Sequence, residues 1–188
     1  MNVVYTFDDA FIDGIAWMSC YREPATFFVS PGLVGNNAMP LYVIGGYEKE
    51  FRMDWNDLKL IQKLKGEIGC HGWMHERYDK IDGGSAKTFL QHCDDAWGMY
   101  IGARPKSFAY ADHKVGHLTL VKQYHPYVRS IPTVPDPMFW EDGKTKLYVW
   151  HKATGPTSLY EETEKLRKQQ VKFITFGDAC EQELIPHL

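Results

Sequence analysis

No Cys-x-x-Cys pair occurs in this chain. Its four cysteines, Cys20, Cys70, Cys93 and Cys180, stand far apart in sequence, which removes a zinc knuckle and a thioredoxin-like motif and leaves reduced, mostly buried thiols as the expectation. Nor is there an excess of positive charge. With 21 Lys and Arg against 24 Asp and Glu, a net charge of -3 and a pI near 6.2, the chain lacks the basic field that attracts a polyanion, so nucleic acid is not expected as a partner. The basic cluster Lys165, Arg167, Lys168 and Lys172 lies beside Glu161, Glu162 and Glu164 and reads as a solvated helix face. No apolar run approaches the roughly 18 residues of a membrane span, and no charged start leads into an apolar stretch and cleavage site. A soluble protein is expected, cytoplasmic or released without a signal peptide, with no membrane partner.

Apolar and aromatic residues are plentiful, at 44% and 14% of 188 positions. That is enough for one domain over residues 1–188 with a substantial core, and too few residues for two ordinary domains. The aromatics suit either a filled core or a groove that stacks on sugars. No internal repeat or low-complexity segment is present, and the oligomeric state is not legible.

Seven short runs rich in β-branched and aromatic residues read as strands, at 2–7, 25–29, 67–70, 107–110, 127–131, 146–150 and 171–175. Between them, helical patterns are expected over 11–21, from an Asp54 cap to about Gly66, from a Ser85 cap through Trp97, over 115–124 and over 157–169. A loop runs to about Met53, and Pro132, Pro135 and Pro137 predict an extended loop through Trp140. Alternating strands and helices predict a mainly parallel sheet, open or closed into a barrel. In such a sheet the carboxyl ends of all strands meet on one face. Asp8, Asp9, His71, His75 and His151 all fall just after strands.

Spacing alone proves little, because the chain holds its own controls: Asp94-Asp95 repeats the Asp pair, and His113 with His117 repeats the spacing of His71 and His75. Location separates them. Asp94-Asp95 sits mid-helix, whereas Asp8-Asp9 ends a buried strand and must be ion-paired, hydrated or bound to a metal. Arg22 and Arg52 offer no dedicated partner for an ion pair. Two histidines four apart can meet one cation, and a carboxylate beside them leaves a coordination position open for water. The H-E-x-x-H of zinc proteases and the C-x-x-C of zinc nucleoside deaminases are both absent.

Thr6-Phe7-Asp8-Asp9, the strand 25–29, Gly66 to His71 with His75, and 146–151 followed by a helix and 171–175 together resemble the polysaccharide deacetylases of carbohydrate esterase family four, with their NodB-homology domain. The resemblance spans nearly the whole chain and implies a distorted (β/α)7 barrel. It further implies that Asp9, His71 and His75 bind one divalent metal ion, commonly zinc, with cobalt, nickel, manganese or iron(II) as alternatives. Asp8 would be the general base and His151 the general acid. Ser107 to Tyr110 is similar to the third-motif strand of one branch, whose backbone near Tyr110 helps bind the oxyanion, and Trp73, Trp140 and Trp150 stand where rings could stack on a sugar. Three departures stand out: Ala10 replaces the usual Gly, Val149 replaces Leu, and no Arg-x-Pro-Pro-Tyr segment supplies the arginine that braces the catalytic aspartate. Arg104 comes too early for that place, and Asp136 and Trp140 only echo the fourth motif.

The implied reaction removes N-acetyl groups from an acetylated amino sugar or polysaccharide. A metal that lowers the pKa of water from about 15.7 towards about 7 makes a carboxylate sufficient as base, while the departing amine needs a proton from an acid. Two alternatives remain at this level: a carbohydrate-binding homologue with impaired turnover, which the absent arginine would explain, and an amidohydrolase for small non-sugar amides.

Overall fold

The run Asn2–Phe7 (β1), NVVYTF, is β-branched or aromatic after its first residue and buried on both faces, as a strand covered on both sides requires. The computed structural model describes residues 1–9, 13–35, 53–130, 138–150 and 156–185. After β1 come α1 (Asp13–Tyr21), β2 (Thr26–Val29), α2 (Trp55–Lys63), β3 (Glu67–Cys70), α3 (Gly83–Tyr100) and β4 (Ser107–Ala109). Then follow α4 (Leu118–Tyr124), β5 (Tyr127–Arg129), β6 (Met138–Glu141), β7 (Thr145–Trp150), α5 (Pro156–Lys168), β8 (Lys172–Ile174) and α6 (Phe176–Glu181).

Among the described residues the strands run β5-β4-β3-β2-β1-β7-β6, parallel except for the β6–β7 hairpin. β7 follows one edge of β1 over its whole length, while β8 pairs with Asn2 to Val4 and β2 with Thr6 and Phe7. The expected mainly parallel barrel-like sheet is therefore present, as a strongly curled half-barrel. Its curl can be read from one side chain. Arg129 on β5 reaches Asp8, which follows β1. On a flat sheet those strands would lie about 19 Å apart, four spacings of about 4.8 Å, which is further than an arginine extends.

Side chains alternate along each strand and so build two layers. Val3, Tyr5, Phe7, Phe27, Cys70, Phe108 and Trp150 point outward and pack against Trp17, Leu58, Leu90, Val121 and Leu159 of the helices. Val4, Phe28, Ala109, Leu147, Val149 and Ile174 point inward, where Phe176 and Ala179 of α6 join them. Each large apolar group sealed this way contributes roughly 1.5–3 kcal/mol, so the core easily fixes which face of each strand turns inward. By the same parity Thr6, Asp8, Ser30, His71 and Arg129 belong to the inner row. At the opposite end, α6 is tied down through Glu67, which accepts hydrogen bonds from Thr26 Oγ1 (2.7 Å), Ser107 Oγ (2.5 Å) and the Gly177 N–H (2.8 Å).

Several boundaries differ from the sequence expectation. Asp54 caps α2 as expected, accepting from the Asn56 and Asp57 N–H groups. Asp82, rather than Ser85, caps α3: its Oδ1 accepts from Gly84 (2.8 Å) and Ser85 (3.0 Å), so Ser85 lies inside the first turn. α4 starts at Leu118, not 115, because His117 is left-handed with φ 51°. The expected loop through Trp140 contains β6, whose register sets Trp140 opposite Leu147. The three cysteines Cys70, Cys93 and Cys180 are buried and free, and only Cys20 is exposed. No helix among the described residues is long and apolar enough to cross a membrane.

Candidate active site

Asp8 and Asp9 follow β1, Ser30 follows β2, His71 follows β3 and Tyr110 follows β4, while Arg129 ends β5. The curl brings these carboxyl ends together. His71 is fixed at three points. Its N–H donates to Val29 O (2.9 Å), its carbonyl accepts from Ser30 Oγ (2.9 Å), and its ring Nδ1 lies 2.8 Å from Ala109 O. A carbonyl can only accept, so Nδ1 carries the hydrogen and Nε2 presents a lone pair. Burial, the largest influence, pushes the His71 pKa down to about 3, with Asp8 pulling it partly back. The ring is thus neutral at physiological pH, the form that ligates a metal.

His71 Nε2 stands 3.6 Å and His75 Nε2 3.3 Å from Asp9 Oδ1, and the two rings are 4.9 Å apart at 72°. All three donor atoms lie within 4.8 Å of one another, and among the described residues this is the single group of three or more His, Cys, Asp or Glu so arranged. The set fits a small divalent cation. Two ligands about 2.0–2.1 Å from one zinc at the tetrahedral angle stand about 3.3–3.4 Å apart, close to the separations from Asp9. The backbone is bent to achieve this. Asp9 (φ 66°) and His75 (φ 63°) occupy the left-handed region, which non-glycine residues seldom enter and which gathers at functional sites.

The low His71 pKa gives a pH prediction. An unfolded chain takes up that proton near the ordinary value of 6.5, but the metal-free fold does so only near 3, so the fold loses stability as pH falls through that window. An imidazole NMR titration of metal-free protein should show one ring unchanged down to a pH of about 4, absent from His71→Gln.

Asp8 is 1% exposed and its Oδ2 accepts a hydrogen bond from Arg129 Nη2 at 2.5 Å. Arg129, also 1% exposed, donates from Nη1 to Thr6 Oγ1 (2.7 Å) and lies over the Phe28 ring, 4.6 Å from its centre. Thr6 in turn donates to Tyr148 O (2.9 Å). Sequence reasoning missed this arginine. No arginine follows β4, but one arrives from β5, the next strand, and meets the aspartate there. Its signal was a charge inside an otherwise apolar strand, Tyr127-Val128-Arg129, which can be buried only with a partner. Arg104 is elsewhere, paired with Asp94 and stacked over Tyr124.

The remaining expected residues are placed as follows. The Tyr110 side chain turns to the outer layer, its hydroxyl donating to Gly116 O (2.8 Å), while its N–H lies 3.4 Å from Arg129 O. Trp73 is half-buried with its ring 5.4 Å from that of His92. Trp140 is half-buried against the inner core cluster. Trp150 is a core residue, stacked with Tyr148. His117 binds Ile81 O (2.8 Å), and neither it nor His113 joins the Asp9 group. Asp94 and Asp95 lie within α3. His151 and Asp136 lie outside the described residues.

Residues 2–124 match the family model described as polysaccharide deacetylase. No curated protein matches the chain. Among solved structures, a family 4 acetyl xylan esterase from Clostridium thermocellum in complex with a cobalt ion shares 16% identity over 99% of this chain and 93% of its own, with a TM-score of 0.72. A mutant of the peptidoglycan deacetylase PdaC from Bacillus subtilis shares 18% identity over 96% and 92%, at 0.70. A wild-type family 4 pseudoenzyme from Bacillus anthracis shares 13% over 94% and 64%, at 0.66. At such identities the likeness shows a common fold.

Proposed function

This chain belongs to the polysaccharide deacetylase family, and we propose that within it the protein is a metal-dependent hydrolase that removes N-acetyl groups from an acetylated amino sugar or polysaccharide. The observation that carries this reading is the cation-sized set Asp9, His71 and His75 beside a second aspartate, Asp8, clamped by Arg129. A divalent cation in that set would supply Lewis acidity, acidifying water and polarising an acyl oxygen.

The protein's own groups do the rest. Asp8 takes a proton from the attacking water, and Arg129 with Thr6 fixes the plane of its carboxyl group. His71, neutral and held by Ala109, keeps its lone pair on the donor side. The Tyr110 N–H bond to Arg129 O, at 3.4 Å, exceeds the usual range of about 2.7–3.2 Å, so this donor can be shared with a developing oxyanion. An amine leaves only when protonated, and His151 is assigned that proton. Trp73 and Trp140 are assigned to the sugar-facing walls. The products are acetate and a free amine.

A binding protein without turnover was suggested by the absent third-motif arginine. Arg129 against Asp8 withdraws that support.

Acetate release tests the reading, over chitin oligomers, peptidoglycan fragments, nucleotide sugars, acetylated xylan and small non-sugar amides, each with and without chelator. Release from an N-acetylated sugar, lost with chelator and restored by zinc or cobalt, is expected. Release from non-sugar amides alone would replace it with the amidohydrolase reading. Saccharide binding without release would replace it with the binding protein. His71→Ala and His75→Ala should each lower bound metal from about one ion per chain to a small fraction of that, and a full complement in both would remove the ligand set.

A further inference from the structure

Two ligands four residues apart face one point only if the chain between them reverses tightly. From His71 to His75 it does so with two left-handed residues, Gly72 (φ 81°) and His75 (φ 63°). The second is not a glycine, and its Cβ disfavours that conformation, so something must hold it. Glu76 is placed to do so. Its Oε2 accepts the Trp73 N–H at 2.8 Å and its Oε1 the Met74 N–H at 2.7 Å, so one carboxylate binds two successive backbone donors inside the turn. The outer side is held as well: Trp73 O accepts from the Gly32 N–H (2.9 Å) in the turn after β2. The clamp leaves no spare room. A Cβ at Gly72 would stand 2.7 Å from Glu76 Oε2, and one at Gly32 2.8 Å from Trp73 O.

We infer that Glu76 is a positioning residue for the cation: by bonding Trp73 and Met74 it sets the turn that aims His75 at Asp9 and His71. It touches neither the cation nor the substrate. Asp9 follows β1, where its neighbour Asp8 donates its N–H to Trp150 O (2.9 Å), and His71 is fixed by three hydrogen bonds of its own, so His75 is the ligand whose place depends on this turn. The inference rests on the metal reading above and adds the residue that makes the third ligand available.

Glu76→Gln keeps the shape but replaces one acceptor with an N–H2 facing an N–H, and Glu76→Ala removes both acceptors. Titrating the metal-free full chain with cobalt(II) chloride or zinc chloride, by calorimetry and by the visible cobalt(II) spectrum, should show affinity weakened about tenfold in Glu76→Gln. In Glu76→Ala the weakening should reach about 10–100-fold, the scale of losing an outer-shell support. Metal-free melting temperature should fall by only a few degrees, as for the loss of one local turn, and turnover at saturating cation should return to within a few-fold. That recovery separates positioning from a general structural role. Gly72→Ala, which attacks the same clamp from its other side, should lower affinity in parallel. Wild-type cation affinity in both Glu76 variants would overturn the inference, as would an affinity loss matched by a collapse of the metal-free melting temperature. A wild-type chain that binds no cation would instead bring down the metal reading, and this inference with it.

Discussion

Asp8→Asn should cut acetate release by about 10²–10⁴-fold while the protein still binds its cation. The substitution leaves Asp9, His71 and His75 untouched, and an asparagine oxygen can still accept from Arg129 Nη2. What it cannot do is take a proton. The buried guanidinium also loses its counter-charge, so the variant should melt lower than wild type even though its shape is kept. Metal content by elemental analysis, turnover and melting temperature measured on one preparation separate the effects. Unchanged turnover would exclude Asp8 as base, and loss of metal together with activity would mean that Asp8, rather than Asp9 alone, holds the ion.

This split between two adjacent aspartates follows from strand parity. Val4, Thr6 and Asp8 share the inner face of β1 and its continuation, so Asp8 enters the barrel and meets Arg129. Asp9 falls on the next position, and only its left-handed backbone turns it towards the two histidines. Sequence shows the pair. It does not show which member turns.

Where the sequence was legible, a repeating pattern was long enough to outweigh its neighbours. β1, the Asp54-capped α2 and the placing of Asp94 and Asp95 within α3 are of that kind. So was the gathering of Asp9, His71 and His75, since each directly follows or closely trails a strand of one parallel sheet. The misses share a different cause. At α3 the two glycines after Asp82 hide a helix start, because glycine carries no periodic signal and looks like a loop. β6 sits behind three prolines and is seen only as the antiparallel partner of β7, a long-range pairing that no local window contains. α6 has six residues, too few to show a period, and is held by contacts with Thr26 and Glu67 from far earlier in the chain. Arg129 is hidden for the plainest reason: it stands on β5, one strand later than the family pattern has its arginine, and shows itself only as a charge in a buried strand. The separation of 121 positions from Asp8 is no obstacle once the sheet curls.

Arg129→Met is expected to be the most destabilising single change proposed, because it takes the guanidinium away from the buried Asp8 carboxylate; breaking such a pair from one side typically costs about 3–5 kcal/mol. Turnover should fall with it, since Arg129 is the buried cation that holds Asp8 Oδ2. Arg129→Lys should be milder in stability but still impaired in rate: a lysine carries the charge as a point and cannot present one planar fork to Thr6 Oγ1 and Asp8 Oδ2 together. The decisive comparison is the double variant Arg129→Met, Asp8→Asn. If the two side chains act as one unit, removing the second costs much less once the first is gone, and denaturant unfolding should give a coupling energy of about 0.5–3 kcal/mol. Strict additivity would mean that the contact contributes nothing beyond packing, and the arginine that β5 sends across the barrel would then have no part in holding the base.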